Sequence, residues 1–102
     1  MGLTIKCRRL TATARLPAYG RLLDAGLDLC ADEDVVIPVR SRMPIRTGLA
    51  IELPQGTWGC FRDRSGLALR NGLTLLAGVL DSTYRGEIVI VLLNTSDQPY
   101  QV

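Results

Sequence analysis

Residues 45–53 read IRTGLAIEL and carry the clearest secondary-structure pattern in the chain. The odd-numbered positions carry four aliphatic side chains and a threonine: Ile45, Thr47, Leu49, Ile51 and Leu53. The even-numbered positions carry Arg46 and Glu52 together with small residues. Because successive side chains of a strand point to opposite faces, this alternation predicts a β-strand with one buried face over 45–53. Pro54-Gln55-Gly56 predicts the turn that closes it.

Outward from this strand, short apolar stretches bounded by Pro, Gly or Asp predict further strands. They lie at 3–9, 26–31, 34–39 and 58–62. One short helix is predicted at 65–70, where Ser65 is an N-cap type of residue and Asn71-Gly72 a C-terminal stop. Many short strands and one brief helix indicate an all-β fold, a small jelly roll or β-sandwich of antiparallel strands. At 102 residues, the chain is expected to form a single domain over 1–102.

Residues 88–93 break the alternation, because this predicted strand is apolar on both faces. A strand in a small antiparallel domain normally has one solvated face. Two interpretations remain open. The strand either lies at the centre of the sandwich or forms an interface between copies of the chain.

Composition narrows the possible functions. A net charge of +2 gives no reason to expect nucleic acid or an anionic membrane as a partner. There is no run of roughly eighteen apolar residues and no signal-peptide pattern, so we expect a cytoplasmic or otherwise intracellular protein. The sequence contains no histidine, which excludes Ser-His-Asp and Cys-His catalysis and leaves acid–base work to carboxylates.

Metal and disulfide signals are weak. Cys7, Cys30 and Cys60 form no Cys-x-x-Cys pair, so we interpret them as free, partly buried thiols in a reducing compartment. Asp32-Glu33-Asp34 is interpreted as a solvated turn rather than a metal cluster.

The segment Asp63-Arg64-Ser65-Gly66-Leu67-Ala68 predicts an anion site. If a helix begins here, the amides of 66–68 lack intrahelical partners and Gly66 lets a ligand approach the backbone. Together with Arg64, they suit a phosphate. The alternative is that Ser65 merely caps the helix and Arg64 pairs with Asp63.

The segment Gly78-Val79-Leu80-Asp81-Ser82-Thr83-Tyr84-Arg85-Gly86-Glu87 predicts a strand, a tight turn and a second strand. Such a hairpin presents one carboxylate, one aromatic ring and free backbone groups. Taken singly, Asp81 is explained by turn chemistry and Tyr84 by packing.

Three segments together resemble the motifs of the homotrimeric dUTPase family. Ala25-Gly26-Leu27-Asp28-Leu29-Cys30-Ala31 matches its first motif, Ala-Gly-Tyr-Asp-Leu-x-Ala. Residues 63–68 match its second, Pro-Arg-Ser-Gly/Ser-Leu-Ala/Gly, and 78–86 its third, Gly-Val/Leu-Ile-Asp-x-x-Tyr-Arg/Gln-Gly. Order and spacing agree, and the resemblance spans 3–102. It implies a dUTPase-like β-clip fold, a homotrimer, and hydrolysis of dUTP to dUMP and pyrophosphate.

The resemblance also implies roles for individual residues. Asp81 would hold and deprotonate the water that attacks the α-phosphorus, and Tyr84 would pack under the deoxyribose and exclude a 2′-hydroxyl. The remaining roles concern binding. The backbone of Gly78, Val79 and Leu80 would read uracil; Arg64, Ser65 and Gly66 would contact the phosphates; and Asp28 would steady a water of a phosphate-bound Mg²⁺.

The sequence departs from the family at three points. Leu27 replaces a tyrosine, which we expect to be tolerated, and Asp63 replaces a proline beside the predicted phosphate site. Asp63 would weaken binding if it faced the triphosphate, and matter little if it paired with Arg62 or Arg64. The family's fourth motif, Gly-x-Arg-Ile-Ala-Gln, and its glycine-rich C-terminal lid do not occur within 1–102. We therefore expect a truncated chain with weak activity or none.

The sequence leaves two other functions open, a dCTP deaminase and a non-catalytic scaffold. A dCTP deaminase shares the fold, but its glutamate on the strand after the hairpin corresponds to Val91, and the second serine of its Arg-Ser-Ser run to Gly66. A non-catalytic scaffold or binding module of the same fold is favoured only by Asp63 and the missing motifs. Preference for a deoxyuridine nucleotide over dTTP and UTP would distinguish an enzyme core from that scaffold.

Overall fold

The computed structural model describes residues 2–102. Its elements in chain order are β1 (Lys6–Arg9), β2 (Val36–Ile37), β3 (Arg42–Arg46), β4 (Leu49–Glu52), β5 (Trp58–Cys60), α1 (Ser65–Asn71), β6 (Leu73–Leu76), β7 (Val79–Asp81), β8 (Val89–Asn94) and β9 (Tyr100–Gln101). The predicted all-β class with one short helix is confirmed. No helix within residues 2–102 is long and apolar enough to cross a membrane.

The strands pair antiparallel in four small sheets. Three of these sheets have two strands each, β1 with β4, β2 with β9 and β5 with β7. The fourth has the order β3-β8-β6. The apolar strand predicted at 88–93 is therefore the central strand β8 of the largest sheet, and Ile90 and Leu92 on one of its faces pack against the core. The alternative, an interface between copies, stays a prediction.

The core lies between the β3-β8-β6 sheet and the strands beside it. Ile37, Ile45 and Leu73 are its buried centre, and partly buried side chains such as Leu67, Ile90 and Tyr100 pack around them. Leu67 anchors α1 on this core, and α1 packs against β6. The helix is thereby held next to the sheet although it is only seven residues long.

One fully buried polar side chain, Asn94, joins three segments of the chain. Its amide nitrogen donates to the carbonyl oxygens of Ile37 (3.2 Å) and Gln98 (2.7 Å). Its amide oxygen accepts from the backbone N–H of Ser96 at 2.9 Å. Since every polar atom of the side chain is used, its burial carries no unpaired group.

The single strand predicted over 45–53 is wrong, because the chain bends at its middle. β3 ends at Arg46 and β4 begins at Leu49, with Gly48 between them at φ 68°. The bend sends β4 to pair with β1, while β3 stays beside β8. The prediction of which side chains face the core nevertheless holds for the middle of this segment, because Ile45, Thr47 and Leu49 are all buried.

The other predicted strands are shorter in the structure or missing. Residues 26–31 form no strand; Asp28 makes one antiparallel bridge with Ala18 instead. The strands predicted at 3–9, 34–39 and 58–62 exist as β1, β2 and β5, but each is shorter than predicted. Within the 32–34 turn, the Asp32 carboxylate accepts the hydroxyls of Thr11 (2.6 Å) and Thr13 (2.7 Å), so this turn also ties two loops together.

Candidate functional site

The turn after β7 presents Asp81 and Tyr84 at the surface. The backbone N–H of Tyr84 donates to the carbonyl oxygen of Asp81 at 3.1 Å, which closes the turn. The Tyr84 hydroxyl donates to the carbonyl oxygen of Glu87 at 2.7 Å. A Cβ on Gly86 would lie 2.7 Å from that hydroxyl, so only glycine leaves room for the ring to fold back there. Both side chains remain exposed.

The strands on either side of this turn do not pair with each other, so the predicted hairpin is wrong. β7 pairs with β5, whereas β8 pairs with β3 and β6. The chain changes sheet at Ile88, whose N–H donates to the Leu49 carbonyl (2.8 Å) and whose carbonyl accepts the Thr47 hydroxyl (2.6 Å). These bonds hold the end of the turn on the bend between β3 and β4.

The predicted uracil-reading residues form or precede an edge strand. β7 has one hydrogen-bonded neighbour, β5, and an edge strand presents unpaired backbone donors and acceptors on its other side. Leu80 is buried under this ladder and Val79 is exposed. Ala77 (φ 67°) and Gly78 (φ 140°) form the tight connection from β6, a conformation unusual for an alanine.

The start of α1 differs in detail from its prediction. The N-cap is Arg64, not Ser65, and no side chain caps the helix. The amide of Ala68 is not free, because it donates to the Arg64 carbonyl at 2.9 Å. The amides of Ser65, Gly66 and Leu67 remain as the first-turn donors without intrahelical partners.

A second arginine, which no sequence motif indicates, lies beside the first turn of α1. The Arg70 guanidinium lies 2.7 Å from the position that a Cβ on Gly66 would occupy. The i, i+4 spacing of Gly66 and Arg70 is the sequence signal that could have revealed it, since such positions are neighbours on a helix surface. The anion site predicted there would gain this charge.

The Asp63 carboxylate is hydrogen-bonded, but its partners are in β6 and do not include Arg64. Its carboxylate accepts the Thr74 hydroxyl and the Leu75 backbone N–H, both at 2.7 Å. The Thr74 hydroxyl and then the Leu75 amide hold the pKa of Asp63 below its ordinary value, and the positive charge of Arg62 adds to the shift. Asp63 therefore fastens the segment before α1 to β6.

The predicted water-mediated magnesium ligand, Asp28, is exposed in the loop that bridges to Ala18. Its carboxylate lies over Gly20, where a Cβ would meet Asp28 Oδ2 at 2.8 Å and Asp24 Oδ2 at 3.4 Å. Within residues 2–102 no three Asp, Glu, His or Cys side chains are grouped to hold a metal ion. Leu27 beside it is 42% exposed, so its replacement of a tyrosine disturbs no buried packing.

The structure places the predicted site residues toward both ends of the β5–β7 ladder. The N–H of Phe61 donates to the Gly78 carbonyl at 2.8 Å, so Gly78 lies where the chain leaves β5 toward Arg64 and α1. Asp81 lies opposite Trp58 at the other end of the ladder. A strand rises about 3.3 Å per residue, which separates Gly78 from Asp81 by about 10 Å.

Trp58 and Cys60 of β5 are exposed beside β7, and no sequence motif marks either residue. Trp58 is the register partner of Asp81, and Cys60 that of Val79, so each pair shares a face of the ladder. Only the strand register reveals them. Cys60 is exposed, so its predicted partial burial is wrong, whereas Cys7 and Cys30 are partly buried; all three thiols are free.

The fold and this turn define a small antiparallel β domain with a carboxylate, an aromatic ring and an open strand edge at its surface. The family model described as dUTPase matches residues 12–102. The chain belongs to the dUTPase family. Relatives named deoxyuridine 5'-triphosphate nucleotidohydrolase include those of Clostridium tetani, 46% identical over 101 residues, and Paramecium bursaria Chlorella virus 1, 43% identical over 93 residues.

The alignments span most of this chain but only part of each relative. The alignments include 97% and 91% of this chain, against 70% and 66% of the Clostridium and virus proteins. Among solved structures, the dUTPase of phage phi11 of S. aureus matches with a TM-score of 0.85 and 30% identity over 92% of this chain and 62% of that one. That structure is described as showing the coordination of a structural Mg(II) ion.

Proposed function

We propose that this chain forms the core of a dUTP diphosphatase, which hydrolyses dUTP to dUMP and pyrophosphate. The observation that carries the proposal is the turn after β7, which a backbone hydrogen bond of 3.1 Å closes between Tyr84 and Asp81 and which leaves both side chains exposed. A carboxylate and a ring exposed on one short turn can serve the phosphate and the sugar of one nucleotide. The family membership then favours dUTP as that nucleotide.

In the proposed reaction, Asp81 orients a water molecule and accepts its proton. The water oxygen forms a bond to the α-phosphorus, the bond from that phosphorus to the α,β-bridging oxygen breaks, and pyrophosphate leaves. A carboxylate suits this role because it orients water through its lone pairs and takes the proton as the new bond forms. The exposure of Asp81 supports the proposal, since a water and a phosphate can both reach it.

Selectivity is assigned to the two sides of the turn. The open edge formed by Gly78, Val79 and Leu80 offers backbone donors and acceptors that could pair with uracil, as a complementary base does. A cytosine that leaves one buried donor unpaired would lose about 1–3 kcal/mol. The Tyr84 ring would pack under the deoxyribose and leave no room for a 2′-hydroxyl.

The phosphates are assigned to Arg64, Ser65 and Gly66. The unpaired first-turn amides and the charge of Arg64 favour an anion there. Mg²⁺ bound to the phosphates would neutralise charge on the pyrophosphate as it leaves. The exposed carboxylate of Asp28 fits such an ion, because magnesium keeps several waters and takes phosphate oxygens in preference to a protein cage.

We propose that copies of the chain share the complete site. Asp81 lies about 10 Å along the ladder from Gly78, the end that leads to α1, and a neighbouring copy would supply its Arg64 to this Asp81. A homotrimer, in which each copy lends one part to its neighbour, would satisfy this geometry.

The test of the mechanism is Asp81→Asn. We expect pyrophosphate release from dUTP to fall by about a hundredfold or more, because loss of a general base removes that much. Binding of a non-hydrolysable dUTP analogue should be nearly unchanged. Asp34→Asn, an exposed carboxylate outside the site, is the matched control. Unimpaired turnover by Asp81→Asn would exclude Asp81 as the base.

We also propose that residues 1–102 alone turn over dUTP weakly, because relatives extend beyond the part that this chain matches. Near-normal pyrophosphate release by the chain would contradict this. A scaffold without nucleotide specificity would show no preference for deoxyuridine nucleotides over dTTP and UTP. Ammonia release from dCTP would instead indicate a deaminase.

A further inference from the structure

The carboxylate of Glu87 is bound on two sides, next to the turn that carries Tyr84. The Arg46 guanidinium contacts it through Nε at 3.2 Å and 3.3 Å and through Nη2 at 3.1 Å. The backbone N–H of Gly48 donates to Glu87 Oε2 at 2.9 Å. The Glu87 side chain is 20% exposed and that of Arg46 is 60% exposed. An exposed ion pair alone contributes little, but a charged hydrogen bond to a buried backbone amide is stronger and directional.

The backbone of the same residue holds the tyrosine. The carbonyl oxygen of Glu87 accepts the Tyr84 hydroxyl at 2.7 Å. The side chain of Glu87 thus fixes its residue to the β3–β4 bend, and the carbonyl of that residue fixes the ring. No other hydrogen bond of the Tyr84 hydroxyl occurs among the described residues.

We propose that Glu87 is a positioning residue, which sets the orientation of the Tyr84 ring through its bonds to Arg46 and Gly48 and thereby sets discrimination between deoxyribose and ribose. This rests on the proposed function, in which Tyr84 packs against the sugar. In this proposal Glu87 acts only through the ring. When its bonds are removed, the ring can swing and admit a 2′-hydroxyl.

Electrostatics agree with a firmly held carboxylate. The hydrogen bonds from Arg46 and then from the Gly48 amide keep the pKa of Glu87 below its ordinary value, while the negative charge of Asp32 opposes them. Glu87 therefore stays ionised and bonded throughout the neutral range.

A second carboxylate–arginine pair on the same turn provides a control. Arg85 Nη2 lies 3.5 Å from Glu52 Oε1, and Arg85 also donates to the carbonyl oxygen of Ser82 at 2.6 Å. This pair joins the turn to β4 but does not contact the Tyr84 hydroxyl. Removing Glu52 therefore removes a comparable ion pair and leaves the proposed positioning bonds in place.

The experiment compares Glu87→Ala, Glu87→Gln and Glu52→Ala with the wild-type chain. Dissociation constants are measured for non-hydrolysable dUTP and UTP analogues, and ring signals of ¹³C-labelled tyrosine are recorded by NMR without ligand. Tyr84→Phe identifies the Tyr84 signals. We expect Glu87→Ala to reduce the deoxyribose preference by about tenfold. Its Tyr84 signals should move toward those of a mobile, exposed ring.

Glu87→Gln should give a smaller loss, since the amide oxygen still accepts from Gly48, and Glu52→Ala should change neither readout. Unchanged preference and unchanged Tyr84 signals in Glu87→Ala would overturn the proposal. If Glu87→Ala fails to fold, Glu87→Gln decides by the same criterion. If the wild-type chain itself shows no deoxyribose preference, the proposed function fails, and the ligand-free Tyr84 signals still test the positioning.

Discussion

Asp63 shows how a single residue can depart from its family and keep a structural purpose. The family usually has proline before the arginine of the second motif, and proline fixes the backbone covalently. Here the Asp63 carboxylate fixes the same segment by two hydrogen bonds to β6, each of 2.7 Å. The negative charge is thereby bonded to β6 rather than paired with Arg64.

Asp63→Asn should lower the Tm by a few degrees at neutral pH and by less in acid. Because the folded-state pKa of Asp63 lies below its ordinary value of 3.8, its stabilisation is fully present above about pH 4 and is lost as pH falls through the folded-state pKa. The Tm difference from wild type should therefore shrink below pH 4. Thermal melts between pH 3 and pH 7, with Asp34→Asn as control, measure it. A Tm difference that is independent of pH would contradict this role.

At the scale of elements, the bend between β3 and β4 decides where the turn after β7 ends. The bend brings the Gly48 amide to Glu87 and the Leu49 carbonyl to Ile88. A straight strand over 45–53 could not supply both contacts and also pair with β1. The bend therefore connects the packing of the core to the position of Tyr84.

Gly48→Ala should destabilise the fold by about 2 kcal/mol or more. The residue has φ 68°, and a Cβ there would lie 2.7 Å from Asp32 Oδ2 and 2.9 Å from Ala14 Cβ. Gly56→Ala is the matched control, because Gly56 also has positive φ (86°) but nothing lies within 4 Å of an added Cβ. The control should cost only about 1–2 kcal/mol of backbone strain. Urea unfolding measures both; equal losses would show that the clash at Gly48 is relieved.

At the scale of the whole molecule, the predicted site residues fall into two groups toward opposite ends of the β5–β7 ladder. Asp81 and Tyr84 occupy one end of the β5–β7 ladder, and Arg64 lies beyond the other end. A ring of copies with one repeated contact brings unlike surfaces together, and so can unite the two groups. The exposed Trp58 and Val79 lie on the face where such a contact would bury apolar surface.

Mixing two inactive variants tests this arrangement. Asp81→Asn and Arg64→Ala copies, unfolded together and refolded, should regain part of the wild-type pyrophosphate release, because some sites then combine an intact Asp81 with an intact Arg64 from a neighbour. Each variant refolded alone is the control. A mixture no more active than its components would place the whole site within one chain.

The sequence by itself determined the fold class, the helix and its stop, the buried parity of 45–53 and the three motifs that identify the family. These are local properties, since side-chain alternation, the left-handed conformation of Gly72 at the helix end and motif spacing depend on neighbouring residues. Only the tertiary structure decided the bend at Gly48, the pairing of β7 with β5, the contact of Asp63 with β6 and the Glu87 bonds to Arg46 and Gly48. Each of these joins residues distant in the chain, so strand register and packing set it, and no local pattern encodes it.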